Sequence, residues 1–437
     1  MRSASSSVTN AGSWPSSGGA RFHRSRTRQG EFLRAALCVL LLGRLPIFAA
    51  AQPDEIYADV VRQARLATTL PYRTNETSLP EVLRELNYDT YRMITFRREQ
   101  GLWFGDRTRF QAQFFHPGYL HKEPVTINEV VNGEVHPVGF SPEFFRYPRF
   151  DPASLAGSKL GFAGFRLLYP LNHRKPVDEV ISVLGASYFR ALAAGQVYGI
   201  SARGLAIDTA ENMPEEFPAF REFWLCKPAP DARELQFFAR LDSPSVSGAF
   251  SFVLRPGKET TLDVETHLFF RKSVQVLGLA PLTSMFWRDE RNPRPPNDKR
   301  PEVHDSDTLV IENAANQSQT CPLQQVERVT TQLFPAKDPH GFGLLQSDRD
   351  AAHYLDPEAN YGDRPSVFVE STGEWGEGAV RLMQLPATNE YHDNVVAFWQ
   401  PQKVPVAGDE LVFKYRLRWF TRDRIKTKRI ASDETQS

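Results

Sequence analysis

The sequence predicts an antiparallel all-β architecture built as two large packed sheets, and three observations carry that prediction. Many short segments are rich in β-branched and aromatic residues and are bounded by Gly, Pro, Asn and Asp. Two longer runs, Thr260–Phe270 and Leu411–Phe420, alternate apolar with polar residues, as strands with one buried face do. Neither the strand–helix alternation of parallel sheets nor a repeat of roughly 20–50 residues, the mark of a propeller or solenoid, is present. At 437 residues the chain is long enough for a sizeable core, and its 31 Phe suit a large β interior. Exposed Trp and Tyr would also serve for stacking on sugar rings.

Taken in order, the first 51 residues read as an export signal. Arg21, Arg24, Arg26, Arg28 and Arg34 form a basic region, Ala35 to Gly43 a short apolar run, and Ala49-Ala50-Ala51 a small-residue cleavage site before Gln52. The apolar run is too short to span a bilayer, so the mature protein is not expected to cross a membrane. A helix is expected from Asp54, with Val60, Val61, Ala64 and Leu66 on one face, and a second from the Ser78-Leu-Pro-Glu81 capping box through Leu86. Strands are expected at Tyr91–Phe96, Arg109–His116, Gly164–Leu168, Leu235–Leu241 and Gly248–Leu254, besides the two alternating runs. Arg288 to Pro301, with four prolines and almost nothing apolar, reads as a long loop, either a lid or a solvated connection. Residues 52–420 then form one sandwich, and 421–437 a polar tail with too little apolar surface to pack.

Equal numbers of basic and acidic residues, 52 each, leave no electrostatic footprint for nucleic acid. Two cysteines follow the signal, Cys226 and Cys321, and the sequence leaves their pairing open. No CxxC, HExxH or clustered His/Cys spacing points to a metal, and no glycine-rich phosphate loop to a nucleotide; no cofactor is expected.

Two stretches stand out for chemistry. Arg300-Pro-Glu-Val-His-Asp305 and Glu390-Tyr-His-Asp393-Asn-Val-Val-Ala-Phe-Trp399 each place an aspartate beside a histidine at the mouth of a strand-like run, 88 residues apart. Two carboxylates brought to one cleft are the minimum equipment for cleaving a glycosidic bond, one protonating the leaving oxygen and the other activating water. The bland reading of either aspartate is a solvated turn or cap residue.

A wider pattern joins them. Gly161-Phe-Ala-Gly-Phe165, Gly185-Ala-Ser-Tyr-Phe189, Gly195-Gln-Val-Tyr-Gly199, Ser201-Ala-Arg-Gly-Leu-Ala-Ile-Asp208, Ala280-Pro-Leu-Thr-Ser-Met-Phe286 and Gly341-Phe-Gly-Leu-Leu345 occur in this order. Together they resemble the periplasmic glucan biosynthesis proteins of the G and D type, the MdoG family, over roughly Asp54 to Phe420. The resemblance implies a galactose-mutarotase-like β-sandwich in the periplasm, acting on glucan with a β-1,2-linked backbone as an anomer-inverting endo-β-1,2-glucanase. It implies Asp393 as general acid and Asp305 as general base, with Tyr361, Glu390 and Arg364 contacting substrate. On this reading Glu390 supplies negative charge to Asp393, and Val395, Val396, Phe398 and Trp399 supply apolar walls. His304 and His392 are expected as supporting or core residues, and Arg203 as a partner of Asp208.

A rival implication is a non-catalytic glucan-binding protein that guides nascent chain from the inner-membrane synthase. An aldose mutarotase would rest on the fold alone. Two departures accompany the resemblance. The family's second, immunoglobulin-like domain of about a hundred residues is expected to be absent. The stretch Asn313 to Val326 keeps Pro322-Leu323 but lacks the tryptophan and the arginine found there in relatives, so a sugar contact or a packing element is expected to be missing.

Overall fold

The computed structural model describes residues 53–74, 79–155, 157–209, 211 and 214–421. The expected export segment, the Ser78 cap and residues 422–437 of the polar tail lie outside them.

Two large sheets face each other. In the ten-stranded sheet the order is Gln111–Phe115, Gly164–Tyr169, Asp178–Leu184, Tyr188–Ala191, Ser201–Arg203, Leu277–Ser284, Val395–Pro401, Glu377–Gln384 and Thr330–Lys337, with Ala206–Ile207 also paired to Leu277–Ser284. The eleven-stranded sheet runs Ser318–Pro322, Thr308–Glu312, Gly341–Leu345, Ser366–Ser371, Glu410–Phe420, Thr260–Phe270, Val246–Arg255, Leu235–Asp242, Ala219–Cys226, Thr126–Val131 and Glu134–Pro137. The pairing is antiparallel as expected, save that Thr126–Val131 lies parallel to Ala219–Cys226.

Period-two alternation decides which side chains meet between the sheets. Phe165 and Phe189 from the ten-stranded sheet reach Phe237 and Phe252 of the other, at ring-centroid distances of 5.7 and 5.9 Å. The same alternation splits the four residues expected to wall Asp393. Val395 and Trp399 point into this core, while Val396 and Phe398 join Met383 in a separate cluster on the sheet's outer face. Only two of the four can stand on the outer side, because the period of a strand is two. Closeness of the strands also accounts for one sequence block. A Cβ at Gly341 or Gly343 would collide with the carbonyl oxygens of Val369 and Val367 on the neighbouring strand.

The first helix spans Pro53–Ala67, and Ile56, Val60 and Ala64 are its buried stripe. Leu66, expected on that stripe, is exposed, because the stripe follows a four-residue step through Ile56 and leaves position 66 outside it. The helix packs on Trp224, Phe238, Ala249 and Phe269, the outer face of the eleven-stranded sheet. The second helix is shorter than expected, Glu81–Arg84, with Pro80 at its N-cap. Tyr91–Phe96 is not one strand. Residues Tyr88–Tyr91 form a helical turn closed by the reciprocal Asn87–Thr90 capping box, and the strand is confined to Thr95–Phe96. That local side-chain bonding outcompetes the β propensity of the aromatics.

Cys226 and Cys321 are both free. Eight strand intervals separate Ala219–Cys226 from Ser318–Pro322, roughly 38 Å at the usual interstrand spacing, far beyond disulfide reach. In the divergent stretch the retained Leu323 is fully buried in the main core. Among the described residues, no helix is long and apolar enough to cross a membrane.

Candidate active site

Both aspartates are placed by one end of one strand. Leu277–Ser284 runs through the ten-stranded sheet, and the chain continues through Met285 into the short strand Phe286–Arg288, which pairs with Val303–His304. Asp305 follows that pair, its N–H donating to the Met285 carbonyl at 2.8 Å. Asp393 ends the turn before Val395–Pro401, the neighbour of Leu277–Ser284, with Ser284 opposite Val395. Asn394 locks the junction. Its N–H donates to Ser284 O at 3.0 Å, its Oδ1 accepts from Phe286 N at 2.8 Å, and its Nδ2 donates to Phe286 O and Leu385 O at 2.9 and 3.0 Å. The hydroxyls of Ser284 and Ser306 meet at 2.7 Å. A long sequence separation thus closes at Ser284.

The third contribution is the turn Tyr361–Asp363 and Arg364. Arg364 forms an ion pair with Asp305, and its guanidinium lies 4.2 Å from the centroid of the Tyr361 ring. The Gly195-Gln-Val-Tyr-Gly199 block abuts this turn, and a Cβ at Gly199 would sit 3.0 Å from the Cβ of Arg364. Glycine there makes room for the arginine. Tyr361 is buried, and its hydroxyl donates to Glu390 Oε2 at 3.4 Å. The structure therefore gathers Asp305, Tyr361, Arg364, Glu390 and Asp393 in one place.

Arginines set the electrostatics, and most were not singled out by sequence. Arg300, at the end of the proline-rich loop, contacts Glu390 at 2.5 Å, Asp356 at 2.9 Å and Asp298 at 2.8 Å. Asp298 also takes Arg288 at 2.6 Å, and these bonds hold its carboxyl far below the usual range, Arg300's the strongest, against the opposing effect of burial. Both arginines at the loop's ends are thus packed in, so the segment is more than a solvated connection. Arg190, on the outer face of Tyr188–Ala191, lies 3.7 Å from Asp393. The expected pairing of Glu390's charge with Asp393 is therefore diluted, since each carboxylate has an arginine of its own. No local pattern marks Arg190, and Arg300, though it opens one of the marked stretches, carries no signal of its partners; a charged residue on a half-exposed strand or in a polar loop reads as solvated.

Asp305 is 5% exposed and Asp393 far more open, with a side chain 36% exposed. Burial pushes the Asp305 carboxyl above the usual carboxylate range; Arg364 opposes this, the charge of Asp393 adds to it and Arg190 opposes it. Tyr361 holds its proton well above the usual tyrosine range, by burial, with Arg364 working the other way. Arg364, expected to contact substrate, is engaged with Asp305 and with Ala359 O at 3.3 Å. Arg203 pairs with Glu215 at 2.7 Å rather than with Asp208, whose Oδ1 accepts from the N–H groups of Gln275 and Val276. His304 is fully buried and His392 is exposed.

Among the described residues, Glu290, Glu302 and His353 offer ligand atoms within 4.8 Å of one another. Glu302 is already bonded to His304 and His353 to Asp348, and Glu290 is exposed. A separate cavity of about 860 Å³, lined by Arg97, Glu143, Arg146 and Tyr147, holds none of the candidate carboxylates.

Comparison with known families matches residues 56–436 to the family described as periplasmic glucan biosynthesis protein, MdoG. Among solved structures, a protein from Escherichia coli K12 described as an aldose 1-epimerase aligns over 59% of this chain and 91% of that one. Its identity of 9% and TM-score of 0.23 are too slight to bear on fold or activity.

Proposed function

The chain belongs to the MdoG family of periplasmic glucan biosynthesis proteins, and from that premise we propose that it is an anomer-inverting endo-β-1,2-glucanase that trims or shapes the glucan. The observation that carries the reading is the convergence of Asp305 and Asp393 on one end of Leu277–Ser284, with Tyr361 and Glu390 beside them. In this scheme Asp305 takes a proton from water, directly or through the Tyr361 hydroxyl, and Asp393 protonates the leaving glycosidic oxygen. Arg364 keeps the charged form of a buried base within reach. The acid needs its proton when the sugar arrives. Glucan lying over the open Asp393 carboxyl, with its hydroxyls drawing Arg190 away, would supply the required dry surroundings.

Incubation of the purified protein with linear β-1,2-glucan, followed by chromatography of the products and NMR of the fresh reducing end, tests this. Shorter oligosaccharides with an inverted α anomer are expected, and an unchanged polymer would refute it. One observation favours a second reading. Asp305 and Glu390 are each already closed by an arginine, an arrangement that would equally suit a non-catalytic groove guiding nascent glucan from the inner-membrane synthase. Binding of the polymer without cleavage would decide for that role.

A further inference from the structure

We propose that Glu302 and Gln346 hold His304 as a buried imidazolium, and that this charged link is the positioning device joining the strand end that carries Asp305 to the turn that carries Tyr361. Both ring nitrogens face acceptors: Nε2 lies 2.9 Å from Glu302 Oε2, and Nδ1 lies 2.8 Å from Gln346 Oε1. The amide orientation follows from its other contacts. Gln346 Nε2 lies 3.0 Å from His304 O, from Tyr361 O and from the Tyr354 hydroxyl, which itself donates to Asp348 O. Backbone carbonyls only accept, so the amide nitrogen belongs there and its oxygen must face Nδ1. A neutral imidazole donates from one nitrogen alone and would set a lone pair against an oxygen in a site with no exposure.

The ring's other neighbours fit a cation. Phe286 stacks at 5.6 Å and Tyr354 meets the ring edge-on at 5.4 Å. Burial is the largest single influence and disfavours the charge. The Glu302 bond, the charges of Asp307 and Glu302 and the Gln346 bond outweigh it, so the His304 pKa is raised. Gln346 is fully buried and touches no candidate catalytic group, but it grips main-chain atoms on both sides. His304 immediately precedes Asp305, and the Tyr361 carbonyl anchors the turn leading to Arg364.

The charge on His304 stands independently of the glucanase reading, whereas its consequence for turnover rests on that reading. The test uses the full chain with 15N-labelled histidine. Two ring N–H signals for His304 are expected from pH 6 through 8, and a singly protonated ring at pH 7 overturns the proposal. Gln346→Glu keeps an acceptor for Nδ1 but removes the donors to His304 O and Tyr361 O. In that variant His304 should stay doubly protonated to higher pH, while kcat on linear β-1,2-glucan falls about 10–100-fold at little-changed KM, as expected for a misplaced catalytic group. Gln346→Met, lacking the acceptor, should lose one ring N–H near neutral pH. If it fails to fold, the wild-type and Gln346→Glu spectra still decide. A Gln346→Glu variant with wild-type kcat and only a lowered Tm would leave Gln346 a merely structural residue. If the wild-type protein does not cleave the polymer, the glucanase reading falls alone. The spectrum then judges the charge, and Gln346→Glu backbone amide shifts at Asp305 and Arg364 identical to wild type would overturn the positioning role.

Discussion

Replacing Asn394 with alanine should unlatch the junction that holds both aspartates. The side chain is 3% exposed and makes three bonds to main-chain groups, Phe286 N, Phe286 O and Leu385 O, all at 3.0 Å or less. At about 1 kcal/mol net for each bond, Asn394→Ala should cost about 3 kcal/mol, roughly a hundredfold in the folding equilibrium. Urea unfolding followed by tryptophan fluorescence measures this. Asn394→Asp separates hydrogen bonding from packing, because it has the same shape but sets a carboxylate oxygen against two carbonyls. It should be at least as destabilised as the alanine variant at neutral pH. Stability should then recover as pH falls and the carboxyl gains a proton it can donate. Asp393 and Asn394 share a turn, so both variants should also lose activity before they unfold. An alanine variant within about 0.5 kcal/mol of wild type, the ordinary scatter of innocuous surface changes, would refute the reasoning. So would an aspartate variant whose stability ignores pH.

Asp305→Asn and Asp393→Asn should each lower glucanase turnover about 10²–10⁴-fold, the usual worth of a proton-transfer group, while leaving the urea midpoint nearly unchanged; near-normal turnover by either would unseat that residue. Arg364→Met removes the cation that holds down the Asp305 pKa. The acidic limb of the kcat/KM profile should therefore move to higher pH, because a base that ionises later becomes active later. Arg300→Met takes the arginine from Asp356 and Glu390 and leaves Asp298 with Arg288 alone. Limited proteolysis should then cut first between residues 289 and 299, and a digestion pattern identical to wild type would show that the loop is held by other means.

What was legible in the sequence is what depends on neighbours in the chain. The alternation of Thr260–Phe270 sets its buried face in any environment, and the strand has the expected bounds. The aspartates of the two marked stretches share a site, together with Tyr361, Glu390 and Arg364, all of which were identified beforehand through the ordered blocks of the resemblance. Local signals failed where two of them competed, as at Tyr88–Tyr91, whose Asn87–Thr90 bonds overrode the aromatic run. Alternation also divides the apolar residues after Asp393, turning Val395 and Trp399 into the core and leaving Val396 and Phe398 on the outer face. Only the tertiary structure decided the partners of the charges. Arg300 meets Glu390 across 90 residues and Arg190 meets Asp393 across 203. Arg364 meets Asp305 across 59 residues. An arginine carries the same charge wherever it lies in the chain, and a carboxylate's partner is whichever cation the packed sheets bring within about 4 Å of it in a medium that screens poorly. That distance exists only once Leu277–Ser284 has gathered the Asp305 and Asp393 segments at its end.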